Sequence, residues 1–158
     1  MGPMSARSAS SVWIDWLHGL LGQGWSFEED LRSSSAEVDA ALRALGFTRS
    51  ETAKDALYRA SLGGTMSHPQ VVLDVQVTVR DGQVSRLMAE GNRRGVPRSI
   101  RLVLSVAFIA LGTTLLLAGS YAGVAVFAVL LLENTIATDR YVTLASRARH
   151  LVATLNGR

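Results

Sequence analysis

From Leu102 to Leu132 the chain reads LVLSVAFIALGTTLLLAGSYAGVAVFAVLLL, thirty-one residues without a charged side chain. A stretch so long and so apolar cannot be covered by the core of a small domain and belongs in the hydrocarbon of a bilayer. The chain is therefore expected to be an integral membrane protein, and the way this run crosses the bilayer fixes the side on which everything else lies. As one helix it would measure about 46 Å at 1.5 Å per residue. Hydrocarbon is only about 30 Å thick, so a single crossing needs a tilt of roughly 50°, beyond the usual limit of about 40°. The run is also interrupted at Ala118-Gly119-Ser120-Tyr121-Ala122-Gly123. A helical hairpin over 102–137, turning at Gly119–Gly123, satisfies both observations and places both arginine-bearing flanks on one side, as the positive-inside rule requires. The competing reading is one continuous helix, in which Gly119-x-x-x-Gly123 would be a helix-packing motif for a dimer.

The hairpin arms hold about 15 apolar residues each, or about 22 Å, which is short for a full crossing. The first arm can borrow Ser99, Ile100 and Arg101, because arginine snorkels. The second must draw Glu133 and Asn134 into the membrane. A carboxyl at that depth is costly and is protonated, paired or turned to protein or water. Its functional reading is a proton-carrying or ligand-binding acid; the plainer one is a shallow hairpin that leaves Glu133 among headgroups. Thr113 and Thr114 are expected to bond to their own helix backbone.

Charge distribution supports this frame. The net charge is only +3, but Arg86, Arg93, Arg94, Arg98 and Arg101 crowd ahead of the apolar run and Arg140 follows it. Such juxtamembrane cations set topology and attract anionic lipid headgroups; nucleic acid is not expected as a partner. There is no cysteine, which excludes disulfides, thiolate catalysis and cysteine metal sites. His18, His68 and His150 have no ligand spacing. Lys54 is the only lysine among sixteen basic residues, the pattern of a GC-rich coding sequence. Residues 1–11 are serine-rich and lack the apolar core of a secretory signal.

The rest of the chain reads as a soluble α+β domain over 1–92, a basic linker over 93–101 and a C-terminal amphipathic helix over 138–158. Trp13, Trp16, Leu17, Leu20 and Leu21 predict a helix over about 11–22. Together with Trp25, its indoles suit the headgroup region, or equally a protein contact. Two further helices are expected over 34–45 and 49–62, the second opened by Thr48-Arg49-Ser50-Glu51 as a capping box. Leu45-Gly46-Phe47 between them resembles the loop of ubiquitin-associated-like three-helix modules; no third helix follows, so a plain helical hairpin is expected. Residues 70–80 alternate as a strand with one buried face, and Asp81-Gly82 signals a type I′ turn. Residues 83–89 return as a second strand, the alternative being a short helix. Tyr141, Leu144, Ala148, Leu151, Val152 and Leu155 form an apolar stripe that needs a partner.

The fold class expected is thus a membrane protein, mainly α with a small β-hairpin. No catalytic constellation is present, and no cofactor beyond bound lipid is implied. The expected function is a non-catalytic accessory or structural subunit of a multi-subunit membrane complex, whose partners are other membrane subunits. Two alternatives stand beside it: a self-assembling, membrane-shaping or proton-conducting hairpin using Glu133, and a tethered adaptor binding through residues 34–62, which requires an exposed Phe47. The expected location is a bacterial inner membrane or an organelle inner or thylakoid membrane, with both termini on the cytoplasmic, matrix or stromal side.

Overall fold

The computed structural model describes residues 9–22, 24–50, 56–63, 70–94 and 97–157. The order of elements is α1 (Ala9–Leu20), β1 (Trp25–Ser34), α2 (Ser35–Ala44), β2 (Thr48–Ser50), β3 (Ala56–Leu62), β4 (Val71–Arg80), β5 (Gln83–Arg93), α3 (Arg98–Leu117) and α4 (Ala122–Asn156). They form two compact units, one made of residues 1–24 and 95–139, the other of 25–94 and 140–158. The long helix α4 contributes to both.

The second unit is built on a five-stranded antiparallel sheet in the order β1-β5-β4-β3-β2. The fold is therefore mixed α and β, which corrects the expectation of a mainly helical chain with one small hairpin. At the centre lies the β4–β5 hairpin, and its turn has Asp81 at φ 52° and Gly82 at φ 77°. Both central residues take the positive φ that a type I′ turn demands. β5 continues to Arg93, so Arg93 belongs to the sheet rather than to a linker, and the amide of Arg94 donates to the Gln70 carbonyl at 2.9 Å.

Residues opposite one another on neighbouring strands share a face. Tyr58, Val75 and Ala89 are aligned across β3, β4 and β5, as are Ala60, Leu73, Gly91 and Trp25 across β3, β4, β5 and β1. These residues are all buried. The buried face is covered by α2, through Val38 and Leu42, and by the part of α4 within this unit, through Tyr141, Leu144, Ala145, Ala148, Leu151, Val152 and Leu155. The apolar stripe at the C-terminus thus finds its partner in the chain's own sheet. Tyr141 lies flat against Trp25, with ring centroids 4.8 Å apart at 13°. Trp25 is only 1% exposed, so it is a core residue and not an interfacial aromatic.

The helix expected over 49–62 does not form; the described residues there are β2 and β3. The Thr48 hydroxyl donates to the Arg59 carbonyl at 3.1 Å instead of capping a helix. The true capping box lies at α2, where Ser34 Oγ accepts from the Glu37 amide and the Glu37 carboxylate accepts from the Ser34 amide. α2 ends where Gly46 takes φ 86° and the Phe47 amide donates back to the Leu42 carbonyl at 3.0 Å. That is a Schellman-type stop, not the loop of a ubiquitin-associated-like module.

In the first unit the apolar run folds back. α3 closes with the Ser120 amide donating to the Leu115 carbonyl at 2.9 Å, and Gly119 at φ 75° makes the turn. Gly123 is not part of the turn. It sits in α4, where an added Cβ would meet the Gly112 carbonyl oxygen at 2.6 Å and Leu116 Cγ at 2.7 Å. Its missing side chain is what lets α3 and α4 approach. Gly112 reciprocates, with its Cβ position 2.8 Å from the Phe127 ring. The threonines turn inward on their own helix, Thr113 donating to Ile109 O at 2.8 Å and Thr114 to Ala110 O at 2.9 Å.

Candidate functional site

Both α3, over Ser99–Leu117, and α4 are long and apolar enough to cross a membrane. The 20 residues of α3 span about 30 Å, the thickness of hydrocarbon. On α3, Leu102, Val103, Leu104, Val106, Phe108, Ile109, Leu111 and Leu117 are exposed, and on α4 Val124, Val129, Leu131 and Leu132. An apolar surface so continuous is ordinary in lipid. Helix continues past the apolar run at both ends, from Arg98 to Arg101 in α3 and from Glu133 onward in α4.

The polar residues at that end of α4 are arranged around α1. Asn134, only 2% exposed, donates from Nδ2 to the Trp16 carbonyl at 2.9 Å. Thr135 Oγ1 accepts from Trp16 Nε1 at 3.2 Å and donates to the Leu131 carbonyl at 2.8 Å. Trp13 packs edge-on against Trp16, 5.9 Å between centroids, and is itself 67% exposed. Neighbouring Glu133 lies exposed on the surface of α4. The sequence singled out Glu133 and Asn134 together, but only the amide is buried, and its partner is a backbone carbonyl of α1. Thr135 gave no sequence signal, since an isolated threonine in a helix most often bonds only to its own turn.

The juxtamembrane arginines do not behave as one group. Arg94 is exposed, Arg93 and Arg140 are half-buried, and the side chain of Arg98 lies outside the described residues. Arg101 is 7% exposed, so it is covered by protein rather than presented to headgroups.

In the sheet unit, several charges are paired. Arg59 binds Asp74 bidentately at 2.6 and 2.9 Å, and Arg86 contacts Glu28 at 2.7 Å and Asp30 at 3.8 Å. Arg149 stands 4.5 Å over the Phe27 ring and 3.8 Å from Glu29. Tyr58 donates to Asp39 at 2.7 Å, and Arg43 reaches the same carboxylate at 3.0 Å. The tyrosine hydroxyl bond, then Arg43, hold Asp39 below the usual carboxylate range. Burial, then Asp39, push the Tyr58 phenol up to about 12. This is a structural clamp between α2 and β3, since a phenol protonated at neutral pH beside a paired carboxylate has no proton to exchange there. No group of three or more potential metal ligands occurs among the described residues; His68 lies outside them.

No family model, curated protein or solved structure matches this chain.

Proposed function

We propose that this chain is a non-catalytic accessory subunit of an integral membrane complex, held by the α3–α4 hairpin and contributing a small soluble α+β unit to protein contacts. The observation that carries it is the segregation of surface. Most of the exposed large apolar side chains fall on α1, α3 and the first half of α4, whereas the outward face of the sheet displays Glu28, Arg59, Asp74, Gln76, Thr78, Arg86 and Glu90 around a single exposed Met88. Lipid covers the first surface. The second is a polar, uncovered sheet face, suited to a protein contact whose specificity comes from charge.

The positive-inside rule favours a two-pass topology with both termini on the cytoplasmic, matrix or stromal side. The adaptor alternative loses its basis, because the 34–62 helical pair does not exist and Phe47 is 2% exposed. Mild detergent extraction followed by native mass spectrometry tests the proposal. Unrelated subunits in fixed stoichiometry support it, while a homo-oligomer alone would overturn it in favour of a self-assembling hairpin.

A further inference from the structure

We infer that α1 is a third membrane element, a helix lying at the boundary of headgroups and acyl chains with Trp13, Ile14, Leu17 and Leu21 in lipid, and that Asn134 and Thr135 are the residues that hold it there. The inference rests on the membrane reading of the hairpin and adds a lipid-binding surface to it. Three observations carry it. First, Trp13, Ile14 and Leu17 on α1 and Leu21 in the turn that closes it are all exposed and recur at helical spacing. Second, α1 is tied to α4 at Trp16 by the Asn134 and Thr135 bonds.

Third, the level of that tie follows from the hairpin register. Counting equal rises from the contact of Gly112 with Phe127, and from that of Leu116 with Gly123, sets Glu133 beside Val106 in both cases. Asn134 and Thr135 then lie four to six residues inside Asp139 and Arg140, or about 6–9 Å. Interfacial helices bury their apolar faces about 5–10 Å deep. The exposed stripe of α1 is therefore at the depth where indole and branched aliphatic side chains meet both acyl chain and headgroup. This also gives Asn134 a reason to sit at the end of an apolar run: a buried amide there is satisfied by the carbonyl it anchors.

The test uses the full chain in lipid nanodiscs. In Trp16→Phe, Trp13 is the reporter, and buried Trp25 supplies a constant background measured alone in Trp13→Phe/Trp16→Phe. Substitution at Trp16 leaves intact the backbone carbonyl that Asn134 bonds and removes the indole N–H that Thr135 accepts from, so in this background Asn134 alone of the pair holds α1. Trp13 is expected to lose most of its emission to phospholipid brominated near the top of the acyl chain, and little to aqueous iodide. Quenching by iodide alone would place α1 in water; protection from both quenchers would place it against protein, whether a second copy or another subunit. Either result overturns the inference. Phe108→Trp, added to the double variant, reports on the hairpin separately: if it is quenched by bromolipid while Trp13 is not, α1 is misassigned and the hairpin stands, whereas if neither is quenched the membrane reading itself fails. With Asn134→Leu added to the Trp13 reporter, its bromolipid quenching should fall, and in the chain that keeps Trp16, Thr135→Val should raise hydrogen exchange in α1. Unchanged values would overturn the anchoring role of this pair.

Discussion

The phenol ring of Tyr141 lies stacked on the indole of Trp25, 4.8 Å between centroids, and occupies the space that a side chain at Gly91 would fill. One residue of the long helix is thereby seated on two neighbouring strands, β1 and β5. A Cβ at position 91 would meet Tyr141 Cδ2 at 2.6 Å and Cε2 at 2.8 Å. Neither the strand nor a stacked ring can yield that distance cheaply. Gly91→Ala should destabilise the sheet unit by about 1–3 kcal/mol through overpacking, and Tyr141→Ala by about 3–5 kcal/mol through the cavity it leaves. Denaturant unfolding followed by near-ultraviolet dichroism of Trp25 would check both; an unshifted midpoint for Gly91→Ala would contradict this packing.

The bulge in β1 supplies a second case. Register with β5 breaks between Asp30 and Ser33, which leaves backbone groups outside the ladder. The carboxamide of Asn156 meets two of them, donating to Asp30 O at 3.0 Å and accepting from Arg32 N at 3.3 Å. Asn156→Leu should cost about 1–3 kcal/mol and raise hydrogen exchange at Arg32 well above that of β4 amides. Exchange equal to the parent would show that the side chain does not satisfy the bulge.

Asp39 and Tyr58 give the sheet unit a pH signature at both ends. Asp39 is depressed from 3.8, so its contribution is present above that value and is lost as pH falls through the lower folded value. Tyr58 is raised from 10.0 to about 12, so its contribution is full below pH 10 and disappears as pH climbs towards about 12. In Tyr58→Phe both limbs should flatten relative to the parent. Melting temperature measured across both ranges decides it, and identical profiles would mean that the clamp is not coupled to folding.

The two glycines of the apolar run should respond oppositely. Nothing lies within 4 Å of an added Cβ at Gly119, whose demand is φ 75°, and asparagine tolerates that region. Gly119→Asn should therefore be accepted, whereas Gly123→Val, driven against the Gly112 carbonyl, should separate α3 from α4. Thermal stability of the hairpin in micelles, with both variants compared, reads the difference; equal tolerance would contradict the close approach.

What could be read beforehand follows from how local each signal was. The apolar run, its fold-back and the Asp81-Gly82 turn depend on neighbouring residues, and each was legible. β1 was not, because WSFEEDLRSS is an edge strand rich in charge whose alternation is broken by the bulge. β3 was misread for the opposite reason: Ala56, Leu57, Ala60 and Leu62 favour a helix locally, and only pairing with β4 makes them a strand. The pattern of serine or threonine three residues before glutamate occurs at both Ser34 and Thr48, yet it caps a helix only at Ser34, because Thr48 is drawn into the sheet by Arg59. At the membrane, Glu133 was the conspicuous residue by charge. The tie to α1 at Asn134 and Thr135 depends on a contact across more than a hundred residues of sequence and leaves no local trace.

The proposed function requires the run from Leu102 to Leu132 to enter the bilayer and return. The chain has no native cysteine, so Ser120→Cys in the turn and Ser146→Cys on α4 can each carry a single thiol in sealed, oriented membrane vesicles. With a membrane-impermeant maleimide applied from one side, Ser120→Cys should be labelled from one face and Ser146→Cys only from the other. Labelling of both from the same face would contradict a hairpin that crosses the membrane.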